Sequence, residues 1–220
     1  MEEIISQFDI QGEITTVSPL KIGHINDSFI LRSNTPEKGS YFLQKINHNI
    51  FKNVAGLQKN ISIVTDHLRS KLAAEGQSDI ERKVLRLIPT KSGELFYKNS
   101  QGEYWRMYVN IENTHSYDVI SPELAFKAGE SFGNFQCMLA DIPHDDLIET
   151  IPDFHNMEFR LKQFREAVEN NAAGRLDKTQ FMVDEIEKRA WEMCAPERMF
   201  REGKLQKRIN HCDTKVNNML

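Results

Sequence analysis

Residues His211–Leu220 read "HCDTKVNNML". The run is polar enough for a solvated tail, yet it closes on an apolar Met-Leu pair, which tails seldom do. It also concentrates side chains that handle protons and hard cations. Asp213 stands two residues after His211, Lys215 two residues after that, and Asn218 five residues after Asp213. A short loop with this spacing can aim a carboxylate, an ammonium and an amide at one point. What precedes the run decides whether it is such a loop.

Two different periods precede it. "ITTVSPLKIG" and "SFILRS" flank a polar turn, and "YFLQKIN" follows the turn material "NTPEKGS", which predicts three antiparallel strands. Val54, Leu57, Ile61, Val64, Leu68 and Leu72 then step by three and four residues, the spacing of one helix face, and Gly76 ends it. Two more strand-like runs, "KVLRLIP" and "EYWRMYVNI", are joined through "TKSGELFYKNSQG". After "ENTHSYD" the period turns helical. Ser121-Pro122-Glu123 supplies a cap, a proline at the first helical position and an acid at the positive end of the dipole. Leu124, Ala128, Phe132, Phe135 and Leu139 form its apolar stripe, with Gly129 and Gly133 as a small-residue stripe beside it. Further helices are predicted over Met157 to Val168 and over Thr179 to Cys194, the latter closed by Ala195-Pro196. The expected order is β-β-β-α-β-β and then helices, an α+β chain dividing into residues 1–112 and 113–220.

Composition narrows the function classes. With 28 basic and 32 acidic residues among 220, the formal charge is −4 and spread along the chain, so it offers no footprint for nucleic acid or anionic membrane. Cys137, Cys194 and Cys212 are odd in number and far apart, which indicates neither a disulfide framework nor a zinc site and fits a reducing, cytoplasmic setting. "MEEIISQFDI" is acidic and lacks the apolar core of a signal peptide, and no run is long enough to span a bilayer.

His211, Asp213 and Asn218 satisfy H-x-D-x-x-x-x-N, the pattern of the kinase catalytic loop. There the Asp accepts or orients the proton of the attacking hydroxyl, and the Asn holds a magnesium ion that neutralises phosphates. The element order before the loop is that of the bilobal kinase fold. With "GHINDSFIL", "YFLQKINHNIFKN", "RMYVNIENTHSYD", "AGESFGNFQCMLADIP" and "IPDFHNMEFR", the chain resembles the aminoglycoside phosphotransferase and choline kinase-like superfamily. Within it the likeness is to bacterial N-acetylhexosamine 1-kinases.

The resemblance implies a protein kinase-like fold, a sheet lobe with one helix followed by a helical lobe. It also implies ATP and Mg2+ as cofactors and transfer of the γ-phosphoryl group to the anomeric hydroxyl of N-acetylglucosamine or N-acetylgalactosamine. Asp213 becomes the base, Lys215 the contact to the transferred phosphoryl group, Asn218 the metal ligand with Asn217 beside it as a rival, and His211 a brace for the loop. "GHINDSF" becomes the turn over the nucleotide, with Gly23, Asn26 and Ser28 as phosphate contacts. Only Gly23 is a glycine, so side-chain donors would have to assist the backbone. "MYVNIE" becomes the connector whose backbone, from Met107 through Val109 to Ile111, reads the adenine edge. His155 and Arg160 are polar groups that could meet the sugar or merely decorate a surface helix.

Two departures stand out. The position that usually carries Lys or Arg for the α and β phosphates is Gln44, with Lys45 facing the other side of the strand. A neutral Gln44–Asn60 pair is expected in place of the usual ion pair, and a register shift bringing Lys45 inward is its rival. Kinases also use a second metal-binding acid shortly after the loop. No acid follows Asn218, so the expectation is a C-terminally truncated kinase with little or no activity of its own. A kinase for choline, homoserine or an aminoglycoside, and a non-catalytic nucleotide- or sugar-binding protein, are the competing readings.

Overall fold

A computed structural model describes residues 1–20, 25–34, 39–117 and 119–218. They group into two compact units, one of Met1–Ile151 with Ile209–Leu220 and one of Pro152–Arg208.

The first unit is built on an antiparallel sheet. Its strands are β1 (Ile14–Leu20), β2 (Asp27–Ser33), β3 (Ser40–Ile46), β4 (Leu87–Ile88), β5 (Tyr97–Lys98) and β6 (Tyr104–Val109). They lie in the order β1-β2-β3-β6-β4, with β5 pairing the other half of β6. Alternation sorts each strand into two faces. Leu31, Tyr41, Leu43, Trp105 and Met107 pack into one core with Ile88, and the N-terminal segment covers that core with Ile4 and Ile5 of α1 (Glu2–Ile5) and the fully buried Phe8 beyond it. The N-terminal segment is tied there by main chain as well: the Asp9 amide donates to the Pro89 carbonyl at 2.9 Å and the Lys91 amide to the Gln7 carbonyl at 2.8 Å. Ser28, Gln44 and Arg106 stand directly opposite one another on the other face.

The helix α2 (Val54–Ala74) begins where the Asn53 side chain accepts the Gly56 amide and ends before Gly76, whose φ of +69° favours a residue without Cβ. Its Val64, Leu68 and Leu72 pack with Val84, Leu139, Phe135 and Ile209. A one-turn helix, α3 (Ile80–Lys83), precedes β4, so only two residues of the expected "KVLRLIP" strand pair with the sheet. The expected connector "TKSGELFYKNSQG" contains β5. Ser121 caps α4 (Pro122–Met138), accepting the Leu124 amide at 3.3 Å. The Glu123 backbone amide and then the Ser121 hydroxyl hold the Glu123 carboxyl below its ordinary range.

The second unit is helical: α5 (Met157–Asn170), α6 (Leu176–Met193) and α7 (Ala195–Arg201). Leu161, Ala190 and Cys194 form its core with Met157, Phe164 and Ile186. Arg165 pairs with Glu187, and Arg201 binds both oxygens of Glu158 at 2.7 Å. Ala195-Pro196 does more than close α6: Pro196 lies in the first turn of α7, where its missing N–H is no loss.

Candidate functional site

Two clusters, both in the first unit, hold Asn26, Ser28 and Gln44 at the strands and Asp213, Lys215 and Asn218 in the closing loop. In the strand cluster, β2, β3 and β6 are in register, so one polar row crosses three strands. The Gln44 amide nitrogen donates to Ser28 Oγ at 2.9 Å, and its oxygen accepts from Arg106 Nε at 3.1 Å and from a terminal guanidinium nitrogen at 2.9 Å. Each bond fixes the amide's orientation for the other. Ser28 is buried, and the Arg106 guanidinium carbon lies 5.2 Å from the centre of the Tyr108 ring. Asn26 immediately precedes β2, and its side-chain oxygen accepts the Asn47 amide at 3.0 Å. Gly23 lies outside the described residues.

The expected Gln44–Asn60 pair is not formed. The Asn60 amide bonds both backbone groups of Ile148, donating to its carbonyl at 2.7 Å and accepting its N–H at 2.9 Å. The most buried polar side chain of α2 is instead Gln58, 1% exposed, and neither of its amide atoms has a hydrogen-bond partner among the described residues. Lys45 points away from the polar row. Its ammonium donates to Glu103 at 2.5 Å, and Asn99 donates to the other oxygen of the same carboxylate at 2.8 Å. The bond from Lys45, with that from Asn99, holds the Glu103 carboxyl below its usual range.

Met107 and Val109 turn their side chains into the core under α1, so any ligand contact of this segment would be through backbone. The stretch after β6 is tied to the start of β3. The Asn110 amide donates to the Ser40 carbonyl at 2.9 Å, its side chain to Ser40 Oγ at 2.8 Å, and that hydroxyl donates to Glu112 at 2.7 Å.

The loop cluster lies at residues 209–218. Ile209 packs among the side chains of α2 and α4, and the His211 ring lies 5.5 Å from Phe132 and 6.0 Å from Phe135, centre to centre. These contacts place the His211 ring and Ile209 against side chains of α4. Cys212 takes the left-handed backbone at φ +61°, unusual for a residue with a Cβ, and the Asn210 side chain accepts its amide at 2.8 Å. That turn presents Asp213. The Asn218 amide nitrogen donates to Asp213 Oδ2 at 2.8 Å and to its backbone carbonyl at 2.9 Å, while Lys215 Nζ lies 3.3 Å from the same carboxylate oxygen. The bond from Asn218, then Lys215 and the His211 charge, hold the Asp213 carboxyl below its ordinary range. The site therefore keeps an anion there.

No group of three or more His, Cys, Asp or Glu side chains among the described residues could hold a metal ion. Asn218 offers one amide oxygen, a hard ligand of the kind magnesium accepts, but a single amide and one carboxylate do not make a site for that ion. The Asn217 side chain lies outside what is described. In the second unit, the Arg160 guanidinium is engaged by the Phe154 carbonyl at 2.9 and 3.2 Å and by Gln163, and the His155 ring packs edge-on against Phe154.

Arg106 is the functional candidate that sequence reading passed over. It sits in an aromatic strand, "YWRMYV", where nothing local marks it. Only the pairing of β3 with β6 places it against Gln44.

The family described as "Phosphotransferase enzyme family" matches residues 16–220. A solved structure of spectinomycin phosphotransferase in complex with ADP and spectinomycin is similar with a TM-score of 0.58 at 12% identity, over 99% of this chain and 63% of that one. An aminoglycoside phosphotransferase from Alicyclobacillus acidocaldarius subsp. acidocaldarius is similar with a TM-score of 0.55 at 14% identity, over 89% of this chain and 52% of that one. At such identities the likeness is one of fold, the kinase-like one expected. The chain spans less than two thirds of the length of either structure.

Proposed function

The chain belongs to the phosphotransferase enzyme family, and from that premise we propose that it serves transfer of the γ-phosphoryl group of ATP to a hydroxyl of a small molecule, the anomeric hydroxyl of an N-acetylhexosamine. The observation that carries the reaction type is the convergence of Lys215 and Asn218 on the Asp213 carboxylate. Asp213, held as an anion, orients the acceptor hydroxyl and takes its proton late, since a carboxylate of lowered pKa is a weak base. Lys215 is within reach of the same point and neutralises charge on the transferring group. His211 holds the loop on α4.

Residues 1–112 act as the nucleotide lobe in this reading and residues 113–220 as the part that presents the loop. Gly23, Asn26, Ser28 and Gln44 face the nucleotide phosphates, and the Met107–Ile111 backbone reads the adenine edge. Magnesium bound with the nucleotide would neutralise charge at the phosphates, and Asn218 Oδ1 is the ligand this chain would offer it beside the phosphate oxygens, since that amide alone does not hold the ion. Asn218 offers magnesium a single amide oxygen, a weak hold on that ion, so turnover is expected to be slow.

The acceptor rests on the likeness of "GHINDSFIL", "YFLQKINHNIFKN" and "HCDTKVNNML" to N-acetylhexosamine 1-kinases. A second reading, an aminoglycoside as acceptor, is favoured by the names of both similar structures. ADP release with N-acetylglucosamine, N-acetylgalactosamine, choline, homoserine and spectinomycin as acceptors decides between them. Stimulation by the two N-acetylhexosamines alone is expected, and stimulation by spectinomycin alone would replace the sugar reading.

A further inference from the structure

The geometry points to Arg106 as the cation that takes the nucleotide's phosphates, with Gln44 as its positioning residue. This rests on the phosphotransferase reading above and adds to it the group that reading leaves without a charge. On that reading the β3 position facing the phosphates carries a neutral amide, Gln44, and the lysine beside it in the chain, Lys45, is turned away and held by Glu103. A phosphate site with no cation would be weak, because the charge-assisted bonds are the strong ones.

Arg106 stands directly opposite Gln44 on the same sheet face, one strand away. Two of its five N–H donors converge on a single oxygen, that of Gln44, which fixes the plane of the guanidinium and leaves three donors for a ligand. Gln44 is itself fixed by Ser28, so the row Ser28–Gln44–Arg106 is preorganised before any ligand arrives. The guanidinium is half-buried over the Tyr108 ring, and among the described residues no carboxylate pairs with it. A half-buried charge usually has a counter-ion. Here a phosphate group supplies it.

The glutamine follows from the same geometry. A lysine at position 44 would face Arg106 across the strands, and like charges directly opposite each other destabilise a sheet. The chain thus carries on β6 the charge that related kinases carry on β3, and a neutral residue at position 44 is the condition for it.

The test is calorimetric titration of ADP and of adenosine, without acceptor, into the protein and three variants: Arg106→Gln, Gln44→Lys, and the exchange Gln44→Lys with Arg106→Gln. Circular dichroism and a thermal melt of each variant establish folding. Loss of one charge-assisted phosphate contact corresponds to about tenfold or more in Kd. Arg106→Gln is expected to weaken ADP by that factor and leave adenosine within about twofold. Gln44→Lys alone lowers the melting temperature, and the exchange, which returns the charge to β3, restores ADP affinity and the melt together. ADP binding unchanged in Arg106→Gln overturns the assignment, as does an equal loss for adenosine, which marks a structural role. If Arg106→Gln does not fold, the exchange variant decides: ADP affinity no better than adenosine there overturns the proposal. If the parent protein itself prefers ADP no more than adenosine, the phosphotransferase reading fails and this assignment with it.

Discussion

Asp213 owes its low pKa first to the amide of Asn218 and then to Lys215 and the charge of His211. Because its folded-state pKa lies below the unfolded one, the stabilisation it contributes is present above the unfolded value and is lost as pH falls through the folded value. The group is exposed, so the more telling consequence is its own titration. Asn218→Ala is expected to raise the Asp213 pKa toward that of a free aspartate, read by carboxyl-carbon NMR, and an unchanged midpoint would remove Asn218 from its role. Asp213→Asn keeps the size of the side chain and one acceptor oxygen but removes its charge. It is expected to lower phosphoryl transfer by about 10²–10⁴-fold, while ADP binding by calorimetry stays as in the parent.

At the scale of elements, the N-terminal segment shows what local reading misses. "MEEIISQFDI" has no long period, because a four-residue helix is too short to show one, yet Ile4, Ile5 and Phe8 close the core of the sheet. Phe8→Ala is expected to cost about 3–5 kcal/mol, measured by urea unfolding, and a cost under about 1 kcal/mol would mean that the segment is not part of the core. Ser121→Ala, which removes the cap of α4, is expected to cost about 1 kcal/mol in the same assay. The long amphipathic α2 and the capped α4 were legible because their signals are repeated along one chain. The two-residue strand β5 was not, since two residues carry no alternation, and of the expected strand "KVLRLIP" only the two residues of β4 pair with the sheet. The partnership of Gln44 with Arg106 was out of reach for another reason: it depends on register between strands 62 residues apart. Asn60 was misassigned because a helical wheel gives a direction but not the neighbour, and the neighbour of Asn60 is the backbone of Ile148.

For the whole molecule, the Asp213 cluster and the polar row belong to one compact unit, with the loop seated on α2 and α4 and the row held by three strands. A nucleotide that binds only the folded state stabilises it by mass action, about 2.7 kcal/mol at a hundredfold excess over Kd. ADP should therefore raise the melting temperature and adenosine should raise it less. The most direct test of the account is a single-turnover reaction with the protein in excess over ATP labelled at the γ-phosphate, in the presence of N-acetylglucosamine. The account predicts slow appearance of labelled sugar phosphate with the parent protein and none with Asp213→Asn. Bound nucleotide with no transfer to any acceptor, or equal transfer by the variant, would contradict it.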